Sequence, residues 1–178
     1  NIYLATGVPI LHVNGAQITG SSAIPAKAWS YLTLTRVSGS TKMYVNGTQT
    51  GSTYSDSNNY LTGANRPVIG NAGYNPALGL GLEGHISDLT VKLSGNSSPS
   101  VPTAPVSSAG TSLHIKGTDG SIIDKAQTSN FTIGDGAVAS SGQQHFSENT
   151  IYFDGSNDYV DINNPISGLE DHTHEAWV

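Results

Sequence analysis

The sequence predicts an all-β protein, a two-layered sandwich of jelly-roll type, and three observations carry that prediction. Apolar residues recur at a period of two: Leu32 and Leu34 lie two apart, as do Met43 and Val45, the spacing of a half-buried strand. Turn chemistry punctuates these runs, above all Asn46-Gly47, a pair that tolerates positive φ at both central positions of a tight hairpin. No window keeps the i, i+3, i+4, i+7 spacing of an amphipathic helix, and no apolar run approaches the length of a membrane-spanning one.

Composition agrees. Of 178 residues only 11% are charged, while 36% are hydrophobic and 21 are glycine. That is too rich in turn residues for a helical bundle and too apolar for a disordered chain. Cysteine is absent, so neither a disulfide framework nor a cysteine-ligated zinc site is available. The net charge of −6 argues against a phosphate backbone as partner. It is unevenly spread: residues 1–95 hold five Lys/Arg against three Asp/Glu, and residues 113–178 hold two Lys against ten Asp/Glu. The chain carries no initiator Met and no signal peptide, so an internal piece of a longer protein is expected.

In order, strands are expected at Asn1–Ala5, Pro9–Val13, Ala16–Thr19, Ser30–Arg36, Lys42–Asn46, Arg66–Ile69 and His85–Leu93. The stretch 33–52 reads as strand, turn, strand, turn, strand, with Val37-Ser38-Gly39-Ser40 as its first turn. The span 96–112 is uncharged and carries Pro99, Pro102 and Pro105; it reads as a linker on an extended path. Beyond it, strands are expected at Leu113–Lys116, Asn130–Ile133, Asn149–Phe153, Tyr159–Ile162 and Thr173–Val178.

Six pieces of the chain resemble, in family order within each half, the laminin G-like modules of the concanavalin A-like lectin/glucanase superfamily. "WSYLTLTRVSGSTKMYVNGTQTGS" (29–52), "VIGNAG" (68–73) and "LEGHISDLTV" (82–91) look like the C-terminal half of such a module. "IYFDGSNDYVDI" (151–162) and "HTHEAWV" (172–178) look like the N-terminal half. "LHIKGTDGSIIDKAQTSNFTIGDGA" (113–137) looks like the opening strands of that N-terminal half, and Lys116 within it and His174 depart from the residues usual at those places. The resemblance implies a concanavalin A-like β-sandwich whose halves are out of phase with the module boundary: residues 1–95, then the 96–112 linker, then 113–178. Two arrangements follow. The halves close one circularly permuted sandwich, or each completes a module whose remainder lies elsewhere.

Several clusters invite chemistry. Asp154, Asn157 and Asp158 ring a Gly-containing turn, and oxygen ligands so spaced suit calcium; turn closure by the same side chains is the plainer reading. The resemblance adds weight to a rim calcium. The polar loop 53–65 offers Asp56, Asn58 and Asn59, and the Gly-rich loop 70–84 offers Tyr74 beside Asn75, a platform for sugar stacking. His172 and His174 share one strand face but lack an indicated third metal ligand. Glu170, His172 and Glu175 stand where retaining glucanases of the superfamily carry a carboxylate triplet. The middle carboxylate is missing, so glycoside hydrolysis is not expected. Trp29 and Trp177 fall at positions that are usually core.

The expected function is a non-catalytic surface-recognition module, extracellular or on a virion, of the kind found in tail fibres and adhesins. It would bind a cell-surface or environmental glycan through the 53–65 and 70–84 loops and contact neighbouring modules. A purely structural repeat without sugar binding is the rival.

Overall fold

The computed structural model describes residues 2–60, 68–71, 81–118, 121–125, 131–146, 148–162 and 171–178. Among the described residues there is no helix, and every strand pairing is antiparallel. In chain order the strands are β1 (Ile2–Ala5), β2 (Val8–His12), β3 (Ala16–Thr19), β4 (Tyr31–Val37), β5 (Ser40–Val45), β6 (Thr48–Ser55), β7 (Val68–Ile69) and β8 (Glu83–Lys92). There follow β9 (Leu113–Thr118), β10 (Ser121–Asp124), β11 (Phe131–Gly134), β12 (Val138–His145), β13 (Glu148–Asp154), β14 (Tyr159–Ile162) and β15 (His172–Trp177).

Local turn chemistry sets the hairpins. Asn46 and Gly47 have φ of 50° and 76°, so a two-residue turn places Val45 opposite Thr48. Ser38 and Gly39 repeat the device at 48° and 74°, with Val37 opposite Ser40. Two strands escape the alternation rule. β10 is short, and β12, "VASSGQQH", is mostly polar and exposed; pairing of β12 with β13, not its own pattern, makes it a strand.

Nine strands form one large sheet in the order β10-β9-β13-β8-β15-β4-β5-β6, with β12 beside β13. β15 lies between β4 and β8, and β8 also pairs with β13 and β9. Strands from both sides of the 96–112 segment therefore interleave in one hydrogen-bonded layer. Two three-stranded sheets, β1-β2-β3 and β11-β14-β7, form the opposing layer. The result is an antiparallel β-sandwich.

Cross-strand partners share a face, so the register sorts side chains into two sets. Met43, Leu34, His174, Val91 and Leu113 line up across β5, β4, β15, β8 and β9 on the inner face. There Leu34 and Met43 pack on Leu11 and Ile18 of the first small sheet. Ile86, Ile115, Ile151 and Phe153 pack on Val160 and Ile162 of the second. Each such buried side chain stabilises the fold by about 1.5–3 kcal/mol. At Gly51, φ is 71° and an added Cβ would lie 2.4 Å from the Thr19 carbonyl oxygen, so the glycine admits β3 against β6.

Candidate functional site

The carboxylate that the sequence singles out in the 53–65 loop turns inward. Asp56, 2% exposed, accepts Thr41 Oγ1–H at 2.7 Å and Tyr60 O–H at 2.8 Å on Oδ2. Its Oδ1 accepts the Asn58 backbone N–H at 3.1 Å and Nδ2–H at 2.9 Å. Burial alone would raise this carboxyl, but the hydrogen bonds from Thr41, Asn58 and Tyr60 outweigh it and hold it below the usual range. Asn58 Nδ2 also donates to Tyr54 Oη at 2.8 Å. Asp56 and Asn58 are thus committed to the interior, and only Asn59 of that trio is exposed. Tyr74 and Asn75 lie outside the described residues. His172 and His174 do share a face, with ring centroids 5.1 Å apart, and Tyr60 meets His172 edge-on at 5.9 Å.

The turn after β13 is closed by its own carboxylates. Asp158 Oδ2 accepts the Asp154 N–H at 2.9 Å, and Asp154 Oδ1 accepts the Ser156 N–H at 2.8 Å. Asn157 is exposed. Asp158 is 1% exposed and its Oδ1 faces Gly136, where a built Cβ would come within 2.8 Å. One oxygen of each carboxylate is therefore held by backbone, and no group of three His, Asp or Glu side chains converges for a cation among the described residues. These residues fit turn closure better than a calcium cage.

The outer face of the large sheet is where unexplained polarity gathers. One cross-strand row runs Thr33, Glu175, Thr90 and His114 over β4, β15, β8 and β9, and all four are buried. A polar row on a sheet's outer face is buried only if something covers it. The cover is the proline-rich segment after β8. Asn96 N–H donates to Thr35 Oγ1 at 3.1 Å and Thr173 Oγ1 at 3.0 Å, and Tyr44 O–H donates to the Ser97 carbonyl at 3.4 Å. Pro99 is buried against the sheet. The expected linker is a strap.

Beneath the strap runs a cleft of about 340 Å³, floored by Tyr31, Lys92 and Glu175 and walled by Asn96, Ser100 and Pro102–Val106. Glu175 Oε2 meets Lys92 Nζ at 3.1 Å and accepts Thr90 Oγ1–H at 3.3 Å. The Tyr31 hydroxyl lies close to Glu175 and Thr33, and burial followed by the Glu175 charge raises its pKa. Yet among the described residues no hydrogen-bond partner meets Tyr31 Oη, Thr33 Oγ1, Ser87 Oγ or Trp177 Nε1. Aromatic rings continue the cleft along the same face. Tyr31 lies 5.0 Å from Trp177, His145 stacks on Trp177 at 3.9 Å, and Trp29 meets His145 edge-on at 5.4 Å. Burial lowers the pKa of His85 and of His145, which favours neutral, π-stacking imidazoles.

Beside this strip, β8 changes partner from β13 to β9. Asp88 sits at the change with φ of 53°, and its Oδ1 meets His114 Nε2 at 2.7 Å and Lys116 Nζ at 3.2 Å. Burial would raise this carboxyl; the His114 hydrogen bond and Lys116 charge outweigh it and lower the pKa. Sequence reasoning missed Tyr31, Asp88, Lys92, His114 and Lys116. The available signal was polar residues at alternate positions, Thr33, Thr35, Thr173 and Glu175, in strands whose other face is already apolar.

The fold is an antiparallel β-sandwich with a polar, aromatic groove across its large sheet. A family model for laminin G domains of the concanavalin A-like lectin/glucanases superfamily matches residues 4–92, and the chain belongs to that superfamily. Curated proteins and solved structures give no match.

Proposed function

We propose that this chain is a non-catalytic surface-recognition module that binds glycan, and that the outer-face groove rather than the 53–65 loop is where it does so. Membership of the superfamily is consistent with a carbohydrate-binding or adhesion module. The observation that carries the reading is the open cleft floored by Tyr31, Lys92 and Glu175 and continued by the rings of Trp177, His145 and Trp29. A sugar supplies what such a strip lacks: hydroxyls for the polar atoms and an apolar C–H face for the rings. Both nearby carboxylates are charge-paired, Glu175 with Lys92 and Asp88 with Lys116, and His114 hydrogen-bonds Asp88 as well. Carboxylates committed to cationic partners support binding without catalysis. An extracellular or virion-surface setting, in a tail fibre or adhesin, belongs to the same proposal.

A glycan array tests it. The half-buried Trp29, at the open end of the aromatic strip, is the safest residue to remove. Trp29→Ala should weaken binding about tenfold, a loss of ~1.4 kcal/mol, while Tyr74→Ala and Asn75→Ala should leave it unchanged. The reverse pattern would move the site to the 70–84 loop. A blank array at high protein density would favour the purely structural repeat.

A further inference from the structure

Asp88 and Lys116 are an unusual pair. Their side chains are 0% and 11% exposed, and Nζ lies 3.2 Å from Oδ1. That is direct ion-pair contact, and it holds the amine beside the carboxyl carbon that bears Oδ1. The two residues come from opposite sides of the strap, on β8 and β9, which pair directly. Among the described residues no hydrogen-bond partner meets the buried Asp88 Oδ2, so that half of the carboxylate gains nothing from them. Burying two charges is costly unless every lone pair is satisfied, and here one is not. His114 holds the same oxygen that faces the amine, at 2.7 Å.

We propose that Lys116 and Asp88 condense to an amide, a cross-link the protein installs on itself, with His114 as proton shuttle. Lys116 ammonium passes one proton to the carboxylate, converting a buried ion pair to a neutral amine and acid. Burial penalises the charged forms and so works for that exchange, while the His114 hydrogen bond and the Lys116 charge work against it, so the neutral pair is a minor state through which the reaction passes. Nζ, now a nucleophile, attacks Cγ and a C–N bond forms. His114 takes a second proton from the nitrogen and delivers it to Oδ1. The Cγ–Oδ1 bond breaks, one water leaves, and Oδ2 becomes the amide carbonyl. Ammonium and carboxylate in, amide and water out: no oxidant or co-reactant is required. The product exchanges an incompletely satisfied ion pair for a neutral amide and ties β8 covalently to β9. Denaturant would then leave the strap as a closed loop. The proposal is independent of glycan binding.

Intact mass of the whole denatured chain tests it. The purified protein should run one water lighter than its sequence, and digestion should yield a branched peptide joining the Asp88 and Lys116 stretches. Lys116→Arg keeps a cation beside Asp88 but cannot form this amide, so it should run at full sequence mass. His114→Gln should slow the water loss at least tenfold in a time course after refolding; an unchanged rate would remove His114 from the mechanism. A wild-type chain at full sequence mass overturns the proposal without recourse to any variant. So does a water loss that persists in Lys116→Arg, since that would place the dehydration elsewhere, for instance at Asp154-Gly155.

Discussion

The molecule holds two buried acidic centres that differ in how their oxygens are used. Around Asp56 on the inner side, each carboxylate oxygen accepts two hydrogen bonds, three of the four donors coming from residues 56–60 and the other from Thr41. Around Asp88 and Glu175 on the outer side, the partners are charged and distant in sequence, and among the described residues several neighbouring polar atoms meet no hydrogen-bond partner. A saturated carboxylate is architecture, because any ligand would have to break bonds to reach it. A face with unmet hydrogen-bonding capacity has something to offer a ligand or a reaction.

The largest expected effect separates these roles. Asp56→Ala should cost about 3–5 kcal/mol, since it leaves the buried Thr41, Asn58 and Tyr60 donors unmet and removes the carboxylate charge 3.8 Å from the Arg36 guanidinium. Glu175→Gln should cost about 1 kcal/mol or less, because Lys92 is partly exposed and its charge can be hydrated. Urea unfolding of the two variants decides it; equal losses would erase the distinction between the centres. The same Glu175→Gln protein should bind glycan more weakly at unchanged fold.

Acid comes next in size. His174 lies on the inner face between Leu34 and Val91, and burial, then the nearby His172 charge, pushes its pKa from 6.5 down to about 3. Between those values the unfolded chain binds a proton that the folded one refuses, so stability should fall as pH drops from 6.5 towards 3. His85 and His145, also lowered by burial, add to the same slope. Asp56 and Asp88, both held below 3.8, contribute stability that is lost only at more acid pH. Melting curves across this range should therefore decline before the carboxylates titrate, and His174→Gln should flatten the upper part. A profile flat from pH 6.5 to 4 would contradict the desolvation of that half-buried imidazole.

The smallest expected effect is none at all. If Asp154 and Asp158 close a turn, a chelator should leave the melting temperature where it was. A clear drop would mean that calcium binds the folded state and would return the 154–158 turn to the list of sites.

Much of this architecture was legible in the residues. Period-two alternation marked β4 and β5, Asn46-Gly47 marked their hairpin partner β6, and the pieces at 29–52 and 82–91 carried the superfamily. These are local signals: a strand's period and a turn's φ are properties of a few adjacent residues. The polar β12 had no such signal, because its strand character comes from hydrogen bonds to β13. Asp56 shows the same limit at a site. In the sequence it is one polar residue among many in a loop; that it turns inward depends on Thr41 and Arg36, which β4 and β5 deliver. The strap was visible only as prolines without charge. What it covers was decided when β15 took its place between β4 and β8, assembling a polar row from four strands far apart in the chain. Adjacent residues determine which segments extend and where they turn. Which faces meet, and which polar groups are left without partners, follows only from register between distant strands, because burial and hydrogen bonding are properties of the packed whole.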